Sequence, residues 1–590
     1  MQKNSKFAFI GFNLLLSSAV FAETLSTLVN INARQQQRQQ EQIQAIQSQQ
    51  VNQPNVRFDT TVDDKRPLLT PEVQCLTISR LYLTDIDFSQ SDLLPAADIH
   101  PPPSKFDWAL DAVYQPGDFA LPHCVGGEGI GILIKRVQNA IIEKGFVTTR
   151  VLVQPQDLRS GRLILSVVSG KVRRIQLRDN SDSPKATLAT VWSALPVQQG
   201  ELLNIRDIEQ GLENLKRPPH ADADIQIVPA GEGANPGESD LQIDFKQRFP
   251  YRLTLLLDDS GSRSTGRLQG TATISIENLL SLNDLFYTAF THSFKRGSDD
   301  SGERGSQNVS AYYAVPWKNW LLSASVSQYD YHQTVFGPFV NYEYAGKSTH
   351  QNITLSRLLY RDASRKTSAN VGIWHRRSAN FTDNAEIDVQ RRRMAGWEIG
   401  VNHREYLGRA TLEVYANYKR GTGANRALAA PEEFHGEGTS RPKILTAGIS
   451  FKQPFTLGEQ PWQFTTSWRG QWNKTPLIPQ DRFSIGGRYT VRGFDGELTL
   501  SADRGWLWRN ELAWNVMNSG QELYWGVDKG VVRGRSTADL AGRHLVGGVM
   551  GLRGELWGLH YDYFVGVPIH KPQGFRTSHV TTGFSLSYQF

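Results

Sequence analysis

At 590 residues the chain is too long for one ordinary domain. It is 39% hydrophobic with a mean hydropathy of −0.41, and no stretch after the N-terminus is long and apolar enough for a transmembrane helix; a barrel escapes that test, because its strands alternate lipid-facing and lumen-facing residues. A net charge of +6 is mild for this size, and nucleic-acid binding would want clustered basic stripes, so no nucleic-acid partner is expected.

In chain order, Phe7–Ala22 is the one apolar run. Lys3 and Lys6 precede it and Val20-Phe21-Ala22 closes it, the pattern of a secretory signal peptide over residues 1–22. Residues 23–50 are rich in Gln and Arg and hold no Gly or Pro. Leu25, Leu28, Val29, Ile31, Ile43 and Ile46 are their few large apolar side chains, too few for a core helix. The segment reads as a solvated helix of about 35–40 Å at 1.5 Å per residue, with a disordered Gln-rich tail as the alternative. Residues 51–72 carry Pro54, Pro67 and Pro71 among polar residues, a linker without a core of its own.

Residues 73–170 mix helix and strand. A strand near Cys75–Leu83 precedes a helical patch around Phe106–Val113. Ile130, Leu133, Ile134, Val137, Ala140 and Ile141 then fall at helical spacing, and strands follow at about Phe146–Val153 and Leu163–Val168. The order, β-α-α-β-β, recurs over 171–248. There the strand is Val172–Leu177 and the first helix Ala186–Leu195. The second helix carries Ile205, Ile208, Leu212 and Leu215 on one face behind an Asn204 N-cap. Strands at Ile225–Val228 and Leu241–Phe245 close the unit, making a short tandem repeat. The only cysteines, Cys75 and Cys124, fall in the first copy. In an oxidising compartment a disulfide is the natural reading, against two buried thiols; it would close a loop of roughly 50 residues and contribute about 3–5 kcal/mol on the chain-entropy model.

From residue 249 to 590 helical spacing gives way to period two. Leu268, Gly270, Ala272, Ile274 and Ile276 alternate with Gln269, Thr271, Thr273 and Ser275, and the chain ends on Phe584, Leu586, Tyr588 and Phe590 interleaved with polar residues. Twelve of the 14 tryptophans lie at or beyond Trp317, as the aromatic girdles of a membrane barrel would require. Short turns, such as Lys318–Asn319 and Gly458–Gln460, alternate with long polar loops, such as Gly421–Lys443 and Pro476–Ser501. Hairpins counted on that alternation predict a mainly β architecture: a 16-stranded transmembrane antiparallel barrel with both ends on the periplasmic side of the outer membrane.

No catalytic constellation emerges. Gly127-Glu128-Gly129-Ile130-Gly131 lacks dinucleotide-loop spacing and reads as the start of a helix. His220, Asp222 and Asp224 read as a polar loop running into a strand rather than as a metal site, and neither G-x-S-x-G nor H-E-x-x-H occurs. No enzyme activity, cofactor or metal is expected. The informative string is Phe483-Ser484-Ile485-Gly486-Gly487 followed by Val491-Arg492-Gly493-Phe494, in a long loop late in the barrel.

On that loop motif the chain resembles the outer-membrane transporters of two-partner secretion, in their haemolysin and contact-dependent-inhibition branch. Asp258-Asp259-Ser260-Gly261 and Ser264-Thr265-Gly266, the Gln-rich helix, Val147-Thr148-Thr149-Arg150-Val151 and the terminal Phe590 add to the likeness. The resemblance implies two periplasmic polypeptide-transport-associated (POTRA) domains and a plug helix, 23–50, inside the barrel. It also implies a lumenal loop in which Val491, Arg492, Gly493 and Phe494 form a latch, with Arg492 paired to an acid on the inner wall. The family's F-x-D-x-G pattern appears as Gly526-Val527-Asp528-Lys529-Gly530, without the Phe, and nominates Asp528. The implied partners are a large secreted β-helical protein whose N-terminal transport domain the POTRA domains bind, outer-membrane lipid, and the barrel assembly machinery. An assembly factor of the same superfamily is the alternative function; such proteins generally carry more repeats and lack the plug.

Overall fold

The computed structural model describes residues 31–51, 53–60, 67–86, 101–337, 340–538 and 540–590. The expected signal peptide and the first residues of the expected plug helix lie outside these.

Sixteen antiparallel strands, from β1 (Tyr251–Asp258) to β16 (Thr581–Gln589), close into a barrel. Ser585–Gln589 pairs with Asp258–Thr254 at the closure, and Phe590 exchanges both backbone hydrogen bonds with Leu253. Period two sets the two faces. On β3 (Leu285–Phe294) Tyr287, Ala289, Thr291 and Ser293 are buried toward the lumen, while Phe290 and Phe294 point outward. Gln269, Thr271, Thr273 and Ser275 likewise turn inward. Leu253, Leu255, Ile353, Ile373, Ile399 and Val527 are exposed on the outside, an apolar belt that suits lipid. Near the short-turn end Trp462 stacks between Trp514 and Trp525, with ring centroids 5.7 and 6.3 Å away, where a membrane barrel places its interfacial aromatics.

The repeat nearest the barrel sits on the short turns. Lys171–Asp179 runs parallel to Glu238–Gln247, which pairs antiparallel with Ala221–Pro229. Two helices, Leu188–Ala194 and Ile205–Leu215, cover that sheet. Thr190 Oγ1 donates to the Ser281 carbonyl and Asn214 Nδ2 to the Lys318 carbonyl, both at 2.8 Å. His220 uses its backbone N–H on Glu277, and Asp222 pairs with Lys216.

The first repeat has the same parallel–antiparallel core, Arg80–Asp85, Arg162–Val168 and Arg150–Leu152. Three expected details differ. The helical patch is a 3-10 segment, Asp107–Ala112. The strand expected at Phe146–Val153 is confined to Arg150–Leu152, because the chain turns at Gly145 and the Thr149 N–H folds back onto the Phe146 carbonyl. The strand expected at Cys75–Leu83 breaks at Ser79, and its first part, Leu76–Ile78, pairs instead with His123–Val125. A Cys75–Cys124 disulfide, with Cα atoms 5.3 Å apart, staples that small sheet. The glycine string opens the helix Gly127–Glu143. Its free amides are met by the linker: Glu72 accepts from the N–H groups of Gly126, Glu128 and Gly129 at 2.7–3.0 Å, a carboxylate at the positive end of a helix.

The Gln-rich segment is helical over 31–50, about 30 Å, and lies inside the barrel. Read alone it is a solvated helix. In place, Asn32, Gln35, Gln36, Gln39 and Gln50 are buried, because the wall they meet is itself polar.

Candidate functional site: the obstructed lumen

Two elements fill the pore. The helix 31–50 presents Gln35, Gln39, Gln42, Ile46 and Gln50, one face at three- and four-residue spacing, to the wall of the first strands. Gln35 donates to Ser262 Oγ at 3.0 Å and accepts from the Tyr329 hydroxyl at 3.1 Å. Gln39 accepts from Ser348, Gln42 donates to Ser260, and Gln50 accepts from Ser275, at 2.9–3.2 Å. Ile46 packs with Tyr287 and Tyr312. The opposite face meets the second element: Arg34 donates to the Glu497 carbonyl, Arg38 to the Gly496 carbonyl and Gln37 to the Arg482 carbonyl.

That second element is the chain between β11 (Gln460–Asn473) and β12 (Arg504–Asn515), folded into the lumen as a small hairpin, Phe483–Ile485 against Leu500–Ala502. Phe483, Ile485, Val491, Phe494 and Leu500 join Leu507, Val532, Leu545 and Phe575 in one apolar cluster, and Phe494 meets Phe575 edge-on at 5.9 Å. Beside it lies the charged anchor. Arg492 Nε and Nη2 donate to the two oxygens of Asp528 at 2.7 and 2.9 Å, and its backbone N–H donates to the same carboxylate at 3.0 Å. Arg492 Nη1 reaches Glu511 at 2.5 Å, and Glu511 accepts in turn from Arg553 at 2.8 Å. Asp528 is fully buried on β13 (Glu522–Arg533), and Arg492 is 7% exposed. A two-pronged, charge-assisted pair in a dry place is directional, and removing one member leaves the other charge uncompensated.

Glycines let the loop lie directly on the wall. A Cβ at Gly547, on β14 (His544–Leu556), would sit 1.8 Å from the Arg492 carbonyl oxygen. One at Gly566, on β15 (Leu559–His570), would sit 2.7 Å from the Gly493 Cα. Gly493 itself has φ +96° and its missing Cβ would meet the Val567 carbonyl at 2.4 Å, so only glycine fits. The other limb of the loop has its own fastening, Asp481 accepting from Arg376 Nη1 and Nη2 at 3.0 and 3.1 Å.

The structure thus places Val491, Arg492, Gly493, Phe494 and Asp528 together in the lumen, and Cys75 and Cys124 far away in the first repeat. Glu511, Arg553, Gly547, Gly566 and the Arg376–Asp481 pair escaped sequence reading. Each sits on the inward side of a strand or a loop limb, and only strand register tells which of many barrel glycines and charges face the loop.

A family model described as haemolysin secretion/activation protein ShlB/FhaC/HecB matches residues 237–554. The chain belongs to this family. A ShlB-type POTRA model matches 107–170 and a second POTRA model 171–229. Among curated relatives, the outer membrane transporter CdiB-2 of Burkholderia pseudomallei is 34% identical over 550 residues, covering 92% of this chain and 91% of its own. The hemolysin transporter ShlB of Serratia marcescens is 24% identical over 76% of this chain and 73% of its own. The solved structure of CdiB from Acinetobacter baumannii superposes with a TM-score of 0.81 at 32% identity, covering 95% of this chain and 99% of that one. This family member is an outer-membrane transporter of two-partner secretion with its POTRA domains in the periplasm. Its family, one of transporters rather than enzymes, implies a secreted exoprotein partner.

Proposed function

We propose that the transporter is closed at rest by two removable parts, the segment of residues 23–50 as a plug and the loop around Arg492 as a latch, and that its partner crosses unfolded once both have moved. The observation that carries this reading is the chemistry of the plug face. Gln side chains on Ser and Tyr hydroxyls exchange for water at a net of about 0.5–1.5 kcal/mol per hydrogen bond. An apolar interface would resist withdrawal by about 25 cal/mol for each Å² re-exposed. The latch is the opposite kind of contact, buried and charged, suited to holding until something displaces it.

The partner is a large exoprotein of haemolysin, adhesin or inhibition-toxin type, in keeping with the CdiB and hemolysin-transporter names of the relatives. Its N-terminal transport domain docks on the POTRA domains, where sheet edges accept extended segments. The outer membrane holds no ATP, so folding of a β-helical cargo outside biases the movement. Outer-membrane lipid meets the apolar belt, and the barrel assembly machinery inserts the chain. Deleting residues 23–50 is expected to raise single-channel conductance in planar bilayers. Unchanged conductance from a barrel that still shows heat-modifiable mobility refutes the plug.

A further inference from the structure

The helix Ile205–Leu215 of the second repeat is covered on both faces. Ile208, Leu212 and Leu215 pack into that repeat's core, while Arg206, Glu209 and Glu213 are buried on the opposite, polar face. Residues 55–60, just beyond the plug helix, run between that face and the barrel. They are held in strand fashion, with 56, 58 and 60 turned inward and 55, 57 and 59 exposed. The backbone is gripped at alternate residues. The Val56 N–H donates to Glu213 at 3.3 Å and the Phe58 N–H to Glu209 at 2.6 Å. Arg361, at the end of β6 (Asn341–Arg361), donates to the Val56 carbonyl at 2.5 Å, and Arg206 to the Phe58 carbonyl at 3.1 Å. The Val56 and Phe58 side chains rest on the second repeat's core.

The frame that grips this segment is tied together independently of it. Arg361 Nε donates to Glu209 at 2.8 Å and its Nη2 to Glu213 at 3.0 Å, while Lys366 pairs with Glu213 and Arg206 with Glu209. Recognition is therefore first of an extended backbone with apolar side chains two residues apart, to which Arg206 adds a hydrogen bond to the Thr60 hydroxyl, and Tyr406 a hydrogen bond to Asn55 and a ring under Arg57. The groove opens at the periplasmic mouth of the pore, because one of its walls is the turn after β6.

We propose that this groove is a receiving site for an extended segment of the secreted partner, with apolar residues at alternate positions, and that residues 55–60 occupy it in cis as a stand-in. This rests on the plug reading, since displacing 55–60 loosens the tether that leads into the plug helix. A covalently tethered occupant competes at an effective concentration on the order of mM, so cargo displaces it only when already concentrated at the POTRA domains.

A fluorescein-labelled peptide of residues 53–60 is the probe, with the full chain in detergent. Val56→Asp with Phe58→Asp in the chain sets carboxylates against the second repeat's apolar core and vacates the groove. Anisotropy is expected to show at least tenfold tighter peptide binding to the vacated chain than to the unaltered one, and no binding of a peptide carrying the same two changes. Equal binding to both chains, binding of the altered peptide, or no binding to a vacated chain that keeps its heat-modifiable barrel overturns the proposal. Conductance of the vacated chain reports on the plug separately. Peptide binding without a change in conductance on deleting 23–50 retires the plug and leaves the groove.

Discussion

Arg492→Lys keeps a positive charge in the lumen and removes the planar fork. In the native anchor the fork gives Asp528 two side-chain hydrogen bonds and Glu511 a third. A lysine places its donors on one atom at the end of a flexible stem, so it makes one of these three bonds and the other two are lost. Two charge-assisted bonds lost, at about 1.5–3 kcal/mol each, weaken docking of the loop by about 3–6 kcal/mol. That lowers the ratio of docked to undocked loop by a factor on the order of 10²–10⁴. The backbone bond from residue 492 to Asp528 survives and tempers the effect. The assay is export of the cognate exoprotein, with heat-modifiable mobility to establish that the barrel has assembled and trypsin cleavage at Arg488 to report loop docking. Arg492→Lys and Arg492→Ala are both expected to lose export, and the Lys variant to be cleaved faster than the unaltered chain. Normal export with a protected loop would show that charge alone holds the loop and that the two-pronged geometry is incidental.

Gly547→Val places a side chain where the Arg492 carbonyl lies, so it is expected to abolish export from an assembled barrel. Gly548→Ala, whose Cβ meets only the ends of Ile569 and Val567, is the control and is expected to export normally. In the first repeat, burial opposes ionisation of Asp118, but its hydrogen bonds from Arg136 and the Leu69 amide outweigh that and hold the carboxyl below the usual carboxylate range. A depressed folded-state pKa contributes stability in full above the unfolded value of about 4, and that stability is lost as pH falls through the folded value. Proteolysis of the first repeat is therefore expected to rise on acidification, and Asp118→Asn to flatten that dependence near its lower end. Cys75→Ser is expected to destabilise the same repeat by about 2–5 kcal/mol, seen as lowered protease resistance upstream of an unaffected barrel.

The sequence made the barrel legible because the membrane imposes one rule on every strand. An inward Thr or Ser beside an outward Leu or Ile, repeated from Leu268 to Phe590, admits few other readings. The tandem repeat was legible for a similar reason, since Ile208, Leu212 and Leu215 need a sheet to cover. Hidden from it were features that depend on register between distant strands. Gly547 is one glycine among many until β14 is aligned under the loop. The strand His123–Val125 is too short to show a period, and its pairing with Leu76–Ile78 is a tertiary choice. Composition alone reads the Gln-rich helix as solvated, because polarity ordinarily means water, and only the family resemblance puts it in the lumen. A polar wall serves a glutamine equally well.

The two obstructions are not independent. Arg34 and Arg38 of the helix donate to the Glu497 and Gly496 carbonyls at the tip of the loop. On the proposed reading, removing either element leaves groups on the other without partners, so each stabilises the other by the same coupling free energy. The order of events then follows from the kind of contact each makes elsewhere. The helix holds the wall mostly by neutral hydrogen bonds that water can replace, with one apolar contact at Ile46 and one bond from Arg252 to the Gln50 carbonyl, whereas the loop holds it by a buried ion pair and a larger apolar cluster. On that reading the helix leaves first, and its departure lowers the barrier for a loop that would otherwise stay. A loop freed by Arg492→Ala should therefore loosen the helix as well, and faster cleavage of the helix in that variant is the observation the coupling requires.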